Sequence, residues 1–146
     1  MKLVDTEETV VLVTGSSITS EERDRPLAYR LKAEIDRRGV GHAYRRAVVV
    51  ADLWYLDNRI FHLNPTIAIG GPGANDAAQE FAVLPTVHSV DDQIFIQLDF
   101  DGELKRAALW GANAAGTSAA VDAFIAGGYL DDLLARIWRF RAGIFV

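Results

Sequence analysis

Thr66-Ile67-Ala68-Ile69-Gly70-Gly71-Pro72-Gly73-Ala74-Asn75-Asp76 is the stretch that decides the fold. Three β-branched residues and an alanine run straight into glycine and proline. A short apolar run closed by turn residues reads as a strand buried on both faces. Asp76 and Gln79 then stand at capping-box spacing, so a helix is expected over 76–81. Strand, glycine loop and helix in that order form the repeating unit of α/β proteins, where crossover connections make neighbouring strands parallel.

The same unit recurs on both sides. Thr9-Val-Val-Leu-Val-Thr14 ends at Gly15-Ser16-Ser17, and Ala47-Val-Val-Val-Ala51 ends at Asp52. Thr19 and Glu22 have capping-box spacing, Leu27, Leu31 and Ile35 form one stripe, and Gly39 follows. One helix is therefore expected from about 20 to 38. The aromatic segment 53–63 reads as a short helix or an ordered loop. Further on, Ile94, Ile96, Leu98 and Phe100 alternate with Phe95, Gln97 and Asp99. Asp101-Gly102 supplies a type I′ turn signal, and Glu103 to Trp110 reads as the returning strand. Gly111-Ala-Asn-Ala-Ala-Gly116 leads to a helix over 117–126. Leu130, Leu133, Leu134, Ile137 and Trp138 mark a last helix, and residues 142–146 are apolar.

The expected fold is one three-layer α/β domain over 1–146. Its mixed, mostly parallel sheet has about five strands, helices cover both faces, and one β-hairpin spans 94–110. The strand order expected is a three-stranded parallel core extended by the hairpin, one strand of which is antiparallel.

Composition narrows the function classes. The chain has 146 residues, is half hydrophobic and a quarter charged, and contains no cysteine. This is ordinary globular composition for one domain. Thiolate zinc sites, iron–sulfur clusters and cysteine nucleophiles are excluded. The longest aliphatic run, Ala47 to Ala51, is far short of the roughly 18 residues of a membrane span. With acidic residues ahead of any apolar run, we expect a cytoplasmic chain with no membrane partner. The net charge of −5 argues against nucleic acid. Residues 21–46 hold eight Lys/Arg and five Asp/Glu, net +3, so the rest carries −8. The interleaving of signs there reads as a solvated helix face.

Chemistry is expected at the carboxyl ends of the strands, where α/β sheets place their ligands. Ser16, Ser17, Gly70, Gly71, Gly73, Asn75, Gly111, Asn113, Gly116 and Thr117 are the candidate binding residues. Backbone N–H groups at helix starts suit a small anion. Gly71-Pro-Gly-Ala-Asn-Asp76 has Asp76 where a dinucleotide fingerprint needs its third glycine, and no P-loop is present. His42, His62 and His88 lie twenty or more residues apart, so no metal is expected. No cofactor is expected either. Asp52 is the one catalytic candidate, an acid–base residue at the end of a strand. Ser16 and Ser17 lack a nucleophile-elbow sequence.

Two motifs carry a family resemblance. Gly70-Gly71-Pro72-Gly73-Ala74-Asn75 and Gly111-Ala-Asn-Ala-Ala-Gly116-Thr117-Ser-Ala-Ala120 resemble the Gly-Gly-Pro-x-x-Asn and Gly-x-x-x-x-Gly-Thr-x-x-Ala pattern of a domain in archaeal S-layer proteins and related prokaryotic proteins. The resemblance spans about residues 66–121 and implies a Rossmann-like module without an established catalytic role. The leading functional expectation is a non-catalytic binding or assembly module for a small anionic ligand. The alternatives are an enzyme acting on a nucleotide or sugar phosphate through Asp52, and a homo-oligomeric structural protein. A homodimer through the last helix and residues 142–146 is expected in the third case.

Overall fold

The computed structural model describes residues 4–138. Six strands form one sheet: β1 (Val10–Thr14), β2 (Ala47–Ala51), β3 (Thr66–Ile69), β4 (Thr86–Val90), β5 (Ile94–Asp99) and β6 (Arg106–Gly111). Their spatial order is β2-β1-β3-β6-β5-β4. β2, β1, β3 and β6 run parallel, β5 is antiparallel to β6, and β4 is antiparallel to β5. Among the described residues there are six helices: α1 (Ile18–Arg23), α2 (Arg25–Arg38), α3 (Asp52–Asp57), α4 (Asp76–Phe81), α5 (Ala114–Ala126) and α6 (Tyr129–Ile137). A 3-10 turn at Arg59–Leu63 follows α3.

Two apolar clusters hold the helices to the sheet. Val10, Leu12, Ile67, Ile69, Ile96 and Leu109 point to one face, where Leu31, Ile35, Phe124 and Leu133 of α2, α5 and α6 cover them. Val11, Val13, Ala68 and Ala108 point to the other, under Tyr55, Ala77, Ala78 and Phe81 of α3 and α4. The alternation follows from the two-residue period of a strand. Arg106 closes the second layer from below. Its buried guanidinium donates to the backbone carbonyls of His62 and Asn64, at the end of the 3-10 turn. Orphan carbonyls at a helix end accept such a cation. Burial pulls the Arg106 pKa down, while neighbouring Tyr55 and Glu80 pull it back up.

The sheet's two edges are guarded differently. In a parallel ladder, alternate residues face the neighbouring strand. Val10 N–H bonds Arg46 C=O, which turns the Ala47 N–H and C=O outward. Asp36 accepts that N–H at 2.9 Å and Lys32 donates to that C=O at 2.7 Å. The Lys32–Asp36 pair of α2 thus occupies the outward groups of the first residue of this edge strand. At the opposite edge, β4 follows Pro85 and its register slips between Thr86 and His88. Proline and bulges are both devices that spoil edge pairing.

Several expectations are corrected. The helix expected over 20–38 is two helices, because Pro26 lies in the first turn of α2 and resets the axis after Asp24. Ser17, not Thr19, caps α1, accepting from Ser20 N. Asn75, not Asp76, caps α4. The sheet has six strands rather than five, since β4 occupies a stretch with no clear periodicity. Asp101-Gly102 does not form a two-residue type I′ turn: β5 and β6 are joined by 100–105, and neither residue has positive φ. Positive φ at successive residues instead falls on Asp91 (51°) and Asp92 (55°), between β4 and β5. α5 starts at Ala114, not 117. The segment 53–63 resolves into α3 and the 3-10 turn.

Candidate functional site

Parallel β1, β2, β3 and β6 deliver their following loops to one edge of the sheet. Ser16, Ser17, Asp52, Gly70 to Asn75 and Gly111 to Thr117 therefore gather there, as expected. The β4–β5 turn with Asp91 and Asp92 joins them, tied by Ala112 N–H to Gln93 C=O at 2.9 Å.

Asn75 is the knot of this edge. It is fully buried. Its Oδ1 accepts from Ala77 N and Ala78 N, and its Nδ2 donates to Val13 O (2.9 Å) and Ile69 O (3.1 Å). One side chain thus caps α4 and stitches the ends of β1 and β3 together. Asp52 makes a second knot. Its Oδ1 accepts from Leu53 N (2.8 Å) and from the Ser16 hydroxyl, and its Oδ2 accepts from Asp76 N (2.8 Å). The first three N–H groups of α4 are therefore occupied by Asp52 and Asn75, and this helix offers none of them to an anion. Asp52 is also 4 % exposed and fully engaged in positioning α3, α4 and Ser16.

The loops touch directly. A Cβ on Gly15 would lie 1.9 Å from Ala74 O, so only glycine lets these backbones approach. Ser20 Oγ, which also receives the Ser17 hydroxyl, donates to Ala74 O. Gly70 has φ +108°, and its missing Cβ would sit 2.6 Å from Asp24 Oδ2. The Asp24 carboxyl is 7 % exposed and lies against that bare backbone. Burial raises its pKa, and the Arg23 charge lowers it by less.

On the β6 side, Gly111 and Gly116 face each other too closely for side chains. Thr117 Oγ1 accepts from Gly111 N (3.1 Å), and Asn113 caps α5 by accepting from Gly116 N (2.8 Å). Asn113 and Gly73 are exposed. The structure thus separates the sequence candidates. Asn75, Asp52 and Thr117 hold the edge together. Ser16, Ser17, Gly73 and Asn113 are exposed, and Gly71, Gly111 and Gly116 are half-buried.

Sequence reasoning passed over an aromatic pair just below these loops. Phe95 and Trp110 stack at 4.3 Å and 22° on the face covered further along by α3 and α4. Both are half-buried. Trp110 lies along Gly71, whose Cβ would come within 3.3 Å of the indole. Trp110 Nε1 donates to Gln97 Oε1 at 2.9 Å, and Gln97 Nε2 donates to Ala82 O and Leu84 O. The signal is present: Phe95 alternates out of phase with the buried Ile96 and the half-buried Ile94 and Leu98, so an aromatic sits on the face expected to be wet.

Among the described residues, no group of three or more His, Asp or Glu side chains could hold a metal ion, and no helix is long and apolar enough to cross a membrane. Neither a protein-family model nor a curated protein matches the chain. The S-layer resemblance therefore rests on its two motifs alone. The dimer expected through 142–146 lies outside the described residues.

Proposed function

We propose that the chain is a non-catalytic binding module whose ligand docks at the loop edge of β3 and β6. The observation that carries this reading is the half-buried Phe95–Trp110 stack beside the bare backbone of Gly71. A glycine-lined approach to a partly exposed aromatic pair suits a ligand ring or cation, worth about 1 kcal/mol per contact. The loops around it are cross-linked by Asn75 and Asp52, so ordering them costs the ligand little.

The sign of the ligand follows from the acids. Asp76, Asp91 and Asp92 stand exposed at this edge. We therefore revise the anionic ligand to one bearing an amino group. Engagement of both Asp52 oxygens with Ser16, Leu53 and Asp76 favours binding over acid–base chemistry at that residue.

A thermal-shift screen at millimolar concentration tests the proposal, because any ligand of the folded state raises the midpoint by mass action. The probes are tyramine and spermidine against AMP and glucose 6-phosphate. Tyramine should stabilise the protein and quench its tryptophan fluorescence, and Trp110→Ala should abolish both effects. Stabilisation by the phosphates instead, or a tyramine effect indifferent to Trp110→Ala, would overturn it.

A further inference from the structure

The outer surface of α3 and of the 3-10 turn after it carries a second aromatic contact. The inward side of α3 is taken up by Asp52 and Tyr55, both buried. Leu53 and Trp54 face outward, and Asp57, four and three residues on, shares their side of the helix. His62 anchors the 3-10 turn to α3. Its ring stacks on Tyr55 at 4.3 Å, and its Nε2 lies 2.8 Å from Tyr55 O. Residues three apart eclipse in a 3-10 helix, so Ile60 and Leu63 fall on a different line from His62 and stand in solvent. Phe61 meets Trp54 with ring centroids 5.1 Å apart. Leu53, Trp54, Ile60 and Leu63 are between 44 % and 69 % exposed, and half-buried Phe61 joins them into one apolar surface. Scattered apolar side chains are ordinary on a surface, but a contiguous set that includes a tryptophan marks a contact site.

The charges beside this surface say what covers it. Asp57 and Arg59 are exposed on either side of Asn58, which is itself turned back to donate to Trp54 O at 2.7 Å. Among the described residues, neither Asp57 nor Arg59 makes a side-chain hydrogen bond or an ion pair. Arg25, Arg30, Arg37, Arg38, Arg45 and Arg136, by contrast, each hold a carboxylate. A partner surface of a single sign would satisfy one of these two charges and repel the other. A second copy related by a twofold axis satisfies both, because each residue of the pair then meets the other's counterpart.

We propose that the face formed by α3 and the 3-10 turn is the contact between two copies of this chain. Its apolar surface packs against the same surface of the second copy, and Asp57 of each copy pairs with Arg59 of the other. The turn is already fixed by His62 and, from below, by Arg106 on the His62 and Asn64 carbonyls, so association orders little. Two short elements give a contact at the small end of specific interfaces, so the dimer forms and dissociates with concentration. It uses neither Phe95 nor Trp110, and it stands or falls separately from the ligand reading.

Sedimentation velocity of the full chain over a concentration series reads this directly. The native protein should pass from monomer to dimer as concentration rises. Asp57→Arg and Arg59→Asp each set like charges opposite one another, and each should raise the dimer dissociation constant about tenfold or more. An equimolar mixture of these two variants should dimerise nearly as well as the native protein, because the heterodimer restores both pairs. That recovery also shows that both variants are folded. Trp54→Ala should weaken the dimer, while Val40→Asp, exposed after α2, should leave it unchanged. A native chain that stays monomeric at every concentration overturns the proposal. So does a dimer that the single charge reversals leave intact, or one that their mixture fails to restore. Equal weakening by Val40→Asp overturns it too, since the association would then have no defined face.

Discussion

Asn75 and Asn113 occupy equivalent places in the sequence, each ending a Gly-Ala-Asn tripeptide, yet the structure asks different things of them. Asn113 caps an exposed helix start. Asn75 caps α4 and also satisfies the buried carbonyls of Val13 and Ile69. Removing an N-cap costs about 1 kcal/mol, and orphaning each buried carbonyl adds roughly 1 kcal/mol or more. Asn75→Ala should therefore lose about 3 kcal/mol in urea unfolding and Asn113→Ala about 1 kcal/mol; equal losses would refute the stitching role. Asp24 makes a pH prediction. Burial raises its pKa, so the folded state holds the proton more tightly than the unfolded chain. Its contribution is thus fully present below the ordinary aspartate range and is lost as pH climbs through the raised folded value, where the buried carboxyl must ionise without compensation. Asp24→Asn should raise the melting midpoint at pH 7 and change little at pH 3. A variant that melts lower at pH 7 would mean the ionised carboxylate has a partner. The sequence showed neither role, because burial and the neighbours of a polar residue come from chain segments far apart in number.

At the scale of elements, the sequence was most legible where periodicity and burial agree. Val10–Thr14, Ala47–Ala51 and Thr66–Ile69 are buried in the sheet interior or flanked by helices, and their apolar runs end at turn residues. β4 was missed for the opposite reason. Thr86–Val90 is an edge strand exposed at four of five positions, so no burial pattern is written into it. Its turn was missed because Asp91-Asp92 reaches positive φ without glycine, whereas Asp101-Gly102 carries the stronger turn signal and sits in a longer loop. The α1–α2 break is written in Pro26, but the apolar stripe of α2 is the stronger signal and runs the two helices together. The Lys32–Asp36 clamp belongs at this scale too, since it occupies both outward backbone groups of Ala47 at the start of the β2 edge. Without it, the unbroken Ala47–Ala51 strand presents outward groups that a second copy can pair. The Lys32→Met/Asp36→Ala variant should lose about 1 kcal/mol per missing hydrogen bond and self-associate beyond the native protein at high concentration in light scattering. A variant that associates no further than the native protein would show that the edge needs no guard.

Across the whole molecule, the two layers flanking the sheet are unequal in a way that sets how the protein opens. The layer of α2, α5 and α6 packs Leu31, Ile35, Phe124, Leu130 and Leu133 against six large aliphatic sheet residues. The layer of α3 and α4 is built of six-residue helices, and alanines supply half of its buried residues. Apolar burial stabilises by about 25 cal/mol per Å², so alanine-rich contact holds less tightly than contact between leucines and phenylalanines. Helices this short also contribute little on their own. What secures the weaker layer is polar: Asn75 and Asp52 at one end, Arg106 on the carbonyls of the 3-10 turn at the other. Local opening should follow this division. In native-state hydrogen exchange, amides of α3 and α4 should exchange through a sub-global opening well below the free energy of global unfolding, while those of Leu31, Ile35 and Phe124 wait for the whole molecule. Arg106→Leu should lower the first free energy more than the second, because only the α3 side loses its clamp. If both layers exchange at one common free energy in the native protein, the sheet and its two faces form a single cooperative unit, and the division read from the packing is wrong.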